Sequence, residues 1–306
     1  MLTVFFFLAG LLLLYKGGDF LVDGAKAIAL RYGISPQVVG LTVVGFGTSA
    51  PELLVSLQAA WAGQPGIALG NALGSNTANI LLILGVSAVT GVIALHKRKL
   101  ARDLAFMTGA SLLLWVFMLD GTIGRLNGLA LISVLSTFLW VSLKYSDASP
   151  AASTVVATPT VNAWAMTAAG LAALIVGANW LVSAATTIAT AIGISDAIIG
   201  LTVVSIGTSL PELATSIRAV SKGESDIAVG NIIGSNIFNI AGILGVTSIL
   251  MPITVDSRFL SQDIVWVVGT AVAVTVVTYT TGYLNKLSGI MLLSAYAVYV
   301  SLMLVI

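Results

Sequence analysis

Charge is the commodity this chain has least of. Only 8% of its 306 residues are charged and 58% are hydrophobic, with a mean hydropathy of +1.06. An ordinary soluble domain carries about a quarter charged residues, so this composition excludes a soluble protein and places the chain in a lipid bilayer. Cysteine is absent, which excludes a disulfide framework and any thiolate metal site. The single histidine, His96, opens the basic run HKRK between two apolar segments and reads as a solvated or headgroup-facing residue. An intramembrane hydrolase needs a nucleophile with a base, or an aspartate pair, and the aspartates here are scattered near span ends. The net charge of +1 excludes a nucleic-acid footprint. No phosphate-loop motif is present, so no ATP site is expected. Lys16 follows the first apolar run instead of preceding it, so that run reads as a membrane span and not a signal peptide.

What the chain has in abundance is apolar length. A span needs about 20 residues, and the pattern predicts about ten helices, near 2–31, 36–61, 66–91, 100–119, 124–144, 160–190, 196–220, 226–250, 260–281 and 285–305. The polar stretch 146–159 reads as a linker between residues 1–145 and residues 160–306. The two parts repeat each other. Residues 40–85 (GLTVVGFGTSAPELLVSLQAAWAGQPGIALGNALGSNTANILLILG) align without a gap on residues 200–245 (GLTVVSIGTSLPELATSIRAVSKGESDIAVGNIIGSNIFNIAGILG), and 26 of 46 positions are identical. The match extends upstream to Gly33-Ile34-Ser35 and Gly193-Ile194-Ser195.

Five helices per part is an odd number, so the second part enters the bilayer from the opposite side, as an inverted repeat. With both termini outside, Arg31, Lys97, Arg98, Lys99, Arg102, Lys144, Arg218, Lys222 and Lys286 fall on cytoplasmic ends, and only Arg125 and Arg258 on outer ones. That is the positive-inside bias. The expected fold is therefore an all-α polytopic protein of the cytoplasmic membrane, built as two inverted five-helix repeats with N- and C-termini outside.

Each repeat sets a glutamate after a proline inside an apolar segment (Pro51-Glu52 and Pro211-Glu212). Carboxylates at membrane depth cost about 2.5–3.5 kcal/mol each and mark function. Proline cannot donate to the carbonyl four residues back, so the helix should break near Gly47, leaving carbonyls near Gly45 to Thr48 without intrahelical partners. Thr48, Glu52 and Ser56 are spaced to share one helix face, as are Ser75 and Asn79; Thr208, Glu212, Ser216, Ser235 and Asn239 repeat the pattern. Every donor is a hard oxygen, which suits Ca²⁺ and alkali cations. Two buried glutamates repel when empty, so one Ca²⁺, monovalent cations or protons should fill the site. Asn79 and Asn239 are expected to meet ions directly or through water. Asn71, Asn76, Asn231 and Asn236 read as packing or cap residues. Gly70 and Gly74, like Gly230 and Gly234, should let neighbouring helices approach closely. Lys16, Asp19, Asp23 and Lys26 are spaced to pair along the first helix, as structural groups or the lining of an access path.

GTSAPE and GTSLPE, each followed by GNxxGSN and another Asn, resemble the two alpha-repeats of the cation/Ca²⁺ exchanger superfamily, and most closely its prokaryotic Na⁺/Ca²⁺ exchanger-like members. The resemblance implies that Glu52 and Glu212 bind Ca²⁺ with help from Thr48 and Thr208. It implies that Na⁺ shares those carboxylates, with Ser49, Ser209, Ser75, Ser235 and the backbone at Gly45 and Ser205 contributing. It also implies that the long first helices of the two repeats slide past the other eight to alternate access. Some archaeal members have an aspartate where this chain has Asn239, so the site here holds two carboxylates only. The expected function is a non-enzymatic antiporter exchanging Ca²⁺ for Na⁺, with no cofactor and no obligatory protein partner. H⁺/Ca²⁺ exchange through the same glutamates is the alternative, and a cation channel a more remote one.

Overall fold

The structure, a computed structural model, describes residues 2–146, 160–192 and 205–305. The linker 147–159 and the Gly193-Ile194-Ser195 match lie outside them, as do the first residues of the second repeated stretch. Among the described residues the regular structure is helical apart from four two-residue strands. In order, the elements are α1 (Leu2–Tyr32), α2 (Pro36–Thr48), α3 (Ala50–Trp61), α4 (Pro65–Thr90), β1 (Ile93–Ala94), α5 (Lys97–Met118), β2 (Thr122–Ile123) and α6 (Arg125–Lys144). The second part supplies α7 (Thr160–Ala191), α8 (Ser205–Gly207), α9 (Leu210–Ser221), α10 (Ser225–Leu250), β3 (Ile253–Thr254), α11 (Phe259–Thr280), β4 (Tyr283–Leu284) and α12 (Lys286–Val305). Among the described residues, 8 helices are long and apolar enough to cross a membrane, and the bent pair α2–α3 makes up to 9.

Helices suit this sequence because, in lipid, each backbone N–H and C=O must find its partner within the protein. The helices differ in how deeply they sit. In the most apolar window of α4 and α10, 78% and 83% of residues are buried, against 11% in α12. The two central helices can therefore carry asparagines that a lipid-facing helix could not. Both contain π-helical stretches, Asn79–Ile83 and Phe238–Leu244, a local widening common at functional sites.

Glycine sets the closest packing. α1 and α7 run antiparallel, with Gly10 against Gly177, Gly17 against Gly170 and Gly24 against Ala163. A Cβ at Gly10 would stand 2.9 Å from the Gly177 carbonyl, and one at Gly170 would stand 2.5 Å from the Leu21 nitrogen. A seven-residue glycine spacing thus runs along α1. α2 lies as tightly on α10, where a Cβ at Gly230 would meet the Gln37 carbonyl at 2.5 Å. Gly234 likewise abuts Leu41, as expected from the sequence. Gly70 meets only the Phe259 ring, at 3.4 Å, and Gly74 nothing within 4 Å. Residues 193–204, which would repeat the packing of α2, lie outside the described residues.

The strands tie one part to the other. β1 pairs with β4 (Ile93 opposite Leu284) and β2 with β3 (Thr122 opposite Thr254), both antiparallel. β1 and β2 flank α5, so they lie at opposite ends of the helix stack. β3, which holds the place in the second part that β1 holds in the first, lies at the end opposite β1. Basic residues sort by end as well. Ser35 N–H bonds Ser146 Oγ at 3.0 Å, Lys26 pairs with Glu224 at 2.5 Å and His96 stands 3.8 Å from Asp226. These contacts and the β1–β4 pair bring Arg31, Lys97, Arg102, Lys144, Arg218, Lys222 and Lys286 to one end. Arg125 and Arg258 follow β2 and precede α11 at the other.

Candidate cation site

The helix does break at the repeated proline. α2 and α3 meet at 43°, with Ser49 at the joint (φ −82°, ψ 7°) and Pro51 in the first turn of α3, where a missing N–H costs nothing. Ser209 repeats the joint ahead of α9 (φ −88°, ψ 7°). One expectation needs correcting. The Gly45 carbonyl is not loose, because it accepts the Ser49 N–H at 3.2 Å and the Ser235 hydroxyl at 3.2 Å. The Thr48 hydroxyl has one proton to share among the Val44 carbonyl (3.1 Å), the Gly45 carbonyl (3.4 Å) and Asn231 Oδ1 (3.0 Å).

The joints place two serines so that each serves the carboxylate of the other part. Ser49 Oγ donates to Glu212 Oε1 at 3.0 Å, and Ser209 Oγ to Glu52 Oε1 at 3.2 Å. Ser209 also stands 3.5 Å from Ser75 Oγ. Thr208 sits beside Glu52, with Thr48 and Ser235 beside Glu212, and Glu52 lies within range of the charge of Glu212. Both glutamates are 1% exposed. Asn71 braces α3 by donating to the Glu52 carbonyl (3.1 Å) and to Ser56 Oγ (3.1 Å); Asn231 does the same to the Glu212 carbonyl (3.4 Å) and to Ser216 Oγ (3.0 Å). The hydroxyls of Ser56 and Ser216 are thereby engaged in packing.

A second crossed set lies one helical turn beyond Ser75 and Ser235. Asn79 Nδ2 donates to Asn236 Oδ1 (2.9 Å) and Asn239 Nδ2 to Asn76 Oδ1 (3.0 Å). Asn76 and Asn236 thus do more than pack, and the signal available in the sequence was their recurrence one residue after each serine. Ser205 opens α8, three residues ahead of Thr208.

The atoms left over define the chemistry. Glu52 Oε2, Glu212 Oε2, Asn79 Oδ1, Asn239 Oδ1 and Thr208 Oγ1 are buried without a hydrogen-bond partner. An unpaired buried acceptor costs about 1–3 kcal/mol, so these oxygens are candidate ligands for a cation. Two carboxylate and two amide oxygens are hard donors, and no third acid or imidazole joins them among the described residues. This donor set fits Ca²⁺ or Na⁺. The charges of α1 lie apart from it. Asp19, Asp23 and Lys26 pair across to α9 and the turn after it, not along their own helix: Asp19 with Arg218 (2.6 Å) and Lys222 (3.0 Å), Asp23 with Lys222 (2.7 Å) and Lys26 with Glu224. Lys16 stands 5.6 Å from the Tyr15 ring centre.

Known proteins are similar to this chain. The chain is 38% identical over 311 residues to CaxA of Alkalimonas amylolytica, with 98% of both chains covered. It is 30% identical over 299 residues to the sodium/calcium exchanger MaX1 of Methanosarcina acetivorans, covering 83% of this chain and 85% of that protein. The solved structure of the sodium-calcium exchanger NCX_Mj in zero Na⁺ and Ca²⁺ superposes with a TM-score of 0.88 at 33% identity, covering 99% of each chain. The family model described as sodium/calcium exchanger protein matches residues 2–144 and 162–305. Two matched segments that take in almost the whole chain place this membrane protein in the sodium/calcium exchanger family.

Proposed function

We propose that the chain is a secondary antiporter of the cytoplasmic membrane that exchanges Ca²⁺ for Na⁺ by alternating access at one site shared by its two parts. The observation that carries this reading is the crossed pair of bonds, Ser49 to Glu212 and Ser209 to Glu52, with the second oxygen of each carboxylate left for an ion. Glu52 and Glu212 hold Ca²⁺ through Oε2, with Asn79, Asn239 and Thr208 completing the oxygen set. Na⁺ occupies the same carboxylates together with Ser49, Ser75, Ser209, Ser235 and the backbone at Ser205, the Gly45 carbonyl being already taken by the Ser49 N–H and the Ser235 hydroxyl, and Thr48 orders the joint beside Glu212. Two facing carboxylates carry about two negative charges when empty and repel. A site that is costly to carry across empty moves only when filled, which is the physical basis of exchange.

The architecture proposed with it is two inverted repeats of five spans, divided at residues 146–159, with both termini outside. The placing of β1 and β3 at opposite ends and the gathering of basic residues at one end support it. α1 and α7 form the moving pair. Their glycine-lined contact lets them shift as one body against the remaining helices, and Leu171 of α7 fills the space at Gly47 beside the site.

The test is radiolabelled Ca²⁺ uptake into liposomes holding the purified protein. Vesicles loaded with Na⁺ and diluted into Na⁺-free buffer should take up Ca²⁺; vesicles carrying only a pH gradient, acidic inside, should not. Uptake driven by pH alone would assign the site to H⁺/Ca²⁺ exchange, and flux without any counter-ion would assign it to a channel.

A further inference from the structure

We propose that Asn76 and Asn236, which present no atom to the ion, are positioning residues that fix which end of Asn239 and Asn79 faces it. This rests on the site reading above. A side-chain amide has an oxygen end and an NH₂ end of nearly the same shape, and a cation is held by one and repelled by the other. An aspartate offers oxygen either way round. A site that uses asparagine at both places needs something to choose the end.

The structure supplies it as a chain of forced choices. Asn76 Nδ2 donates to the backbone carbonyl of Asn236 at 3.1 Å. A carbonyl only accepts, so Asn76 cannot turn over, and its Oδ1 must face Asn239. That oxygen in turn requires a donor, and Asn239 Nδ2 supplies it at 3.0 Å. Asn239 Oδ1 is therefore directed away from Asn76 and left without a partner. On the other side Asn79 Nδ2 donates to Asn236 Oδ1 at 2.9 Å, leaving Asn79 Oδ1 unpartnered. The remaining end of Asn236 points its Nδ2 at Met107 Sδ, 3.6 Å away, a weak acceptor. All four asparagines are 1% exposed, so no solvent competes. Both settings pass through Asn236, whose backbone holds Asn76 and whose side chain holds Asn79.

Two substitutions test this through their combination. Asn76→Ala frees Asn239 to turn and should raise the KM for Ca²⁺ about 10- to 100-fold, the range for outer partners of metal ligands. Asn239→Asp alone sets a carboxylate oxygen against Asn76 Oδ1 and should also impair Ca²⁺ uptake. The double variant removes that clash and offers oxygen in either orientation, so its KM should return close to that of the parent and lie below that of both single variants. If the double variant is instead worse than either single one, the two losses simply accumulate and the orienting role is overturned. Asn236→Leu with Asn79→Asp repeats the test on the other side without touching the backbone carbonyl that holds Asn76, should Asn76→Ala fail to fold. Asn239→Ala separates the layers. An unchanged KM for both Ca²⁺ and Na⁺ there would overturn the site reading itself, whereas the expected loss there, beside additive damage in the double variant, overturns only the role of Asn76.

Discussion

The acids of this protein differ in what meets their oxygens. Asp19 is met by the cations Arg218 and Lys222, both on Oδ1, and Asp103 by Arg102 on one oxygen and Gln37 on the other, whereas Glu52 and Glu212 each take a serine hydroxyl on one oxygen and keep the other unclaimed. Glu52→Gln or Glu212→Gln removes half the formal charge of the site and puts an NH₂ where an oxygen is needed. Each should abolish Ca²⁺ uptake in liposomes, and near-normal uptake by correctly inserted protein would contradict the assignment. The two threonines should part company. The Thr48 hydroxyl has acceptors within the protein for its proton and that of Thr208 has none. Thr48→Val should therefore lower thermal stability by about 1 kcal/mol with a mild effect on Ca²⁺ affinity, while Thr208→Val should weaken Ca²⁺ binding about tenfold at unchanged stability. Thermal melts with and without Ca²⁺ read both quantities. The glutamates, serines and Asn79 with Asn239 were legible as residue types at a repeated spacing. The service that each serine gives to the opposite carboxylate was not, because spacing along a chain is silent on which distant helix a side chain will meet.

Among the elements, α1 and α7 depend on the absence of side chains where they cross. Gly17→Ala places a methyl 2.9 Å from the Leu174 nitrogen and 3.0 Å from the Gly170 carbonyl. Backbone cannot yield as a flexible side chain does, so the cost should be about 1–3 kcal/mol. We expect a lower melting temperature and slower exchange; Gly109→Ala, in open space on α5, should change neither. Of the ten expected spans, the 8 found among the described residues, and a ninth if the bent pair counts as one, were legible from apolar length, and the break from Pro51. The ion pairs of α1 were misread. Asp19, Asp23 and Lys26 do share a face, as their spacing requires, but that face lies against α9, so the partners sit on another helix and not one turn along. The four strands were invisible for a different reason. Two residues are too short for any alternation to register, and their pairing is decided by where the helices bring them.

For the whole molecule, the parting of basic residues by end yields a topology that can be measured directly. Because the chain contains no cysteine, a single introduced one is a unique label. Lys97→Cys and Lys286→Cys should react with a membrane-impermeant maleimide only after the cytoplasmic face is opened, and Arg125→Cys and Arg258→Cys in intact cells. Labelling of Arg125→Cys from the cytoplasmic side alone would reverse the orientation. The number of spans and their odd count per repeat led to this expectation from the sequence. The strand pairing that supports it came only with the fold.

The crossed bonds also bear on how such a molecule could arise and change. A free-standing half would hold Glu52 without Ser209 and Asn79 without Asn236. It could work only by meeting a second copy of itself inserted upside down, and one sequence would then have to serve both faces of the membrane equally well. Joining the copies in one chain lifts that constraint, since each may then be shaped for the face it meets. The mark of that freedom is visible in the first helix of each part: α1 bears Asp19, Asp23 and Lys26 where α7 bears Asn179, Ser183 and Thr186. The face that α1 lays on Arg218, Lys222 and Glu224 is thus fastened by charge, while its counterpart on α7 carries none of these groups, so a shift of the two helices need not run at the same rate in both directions.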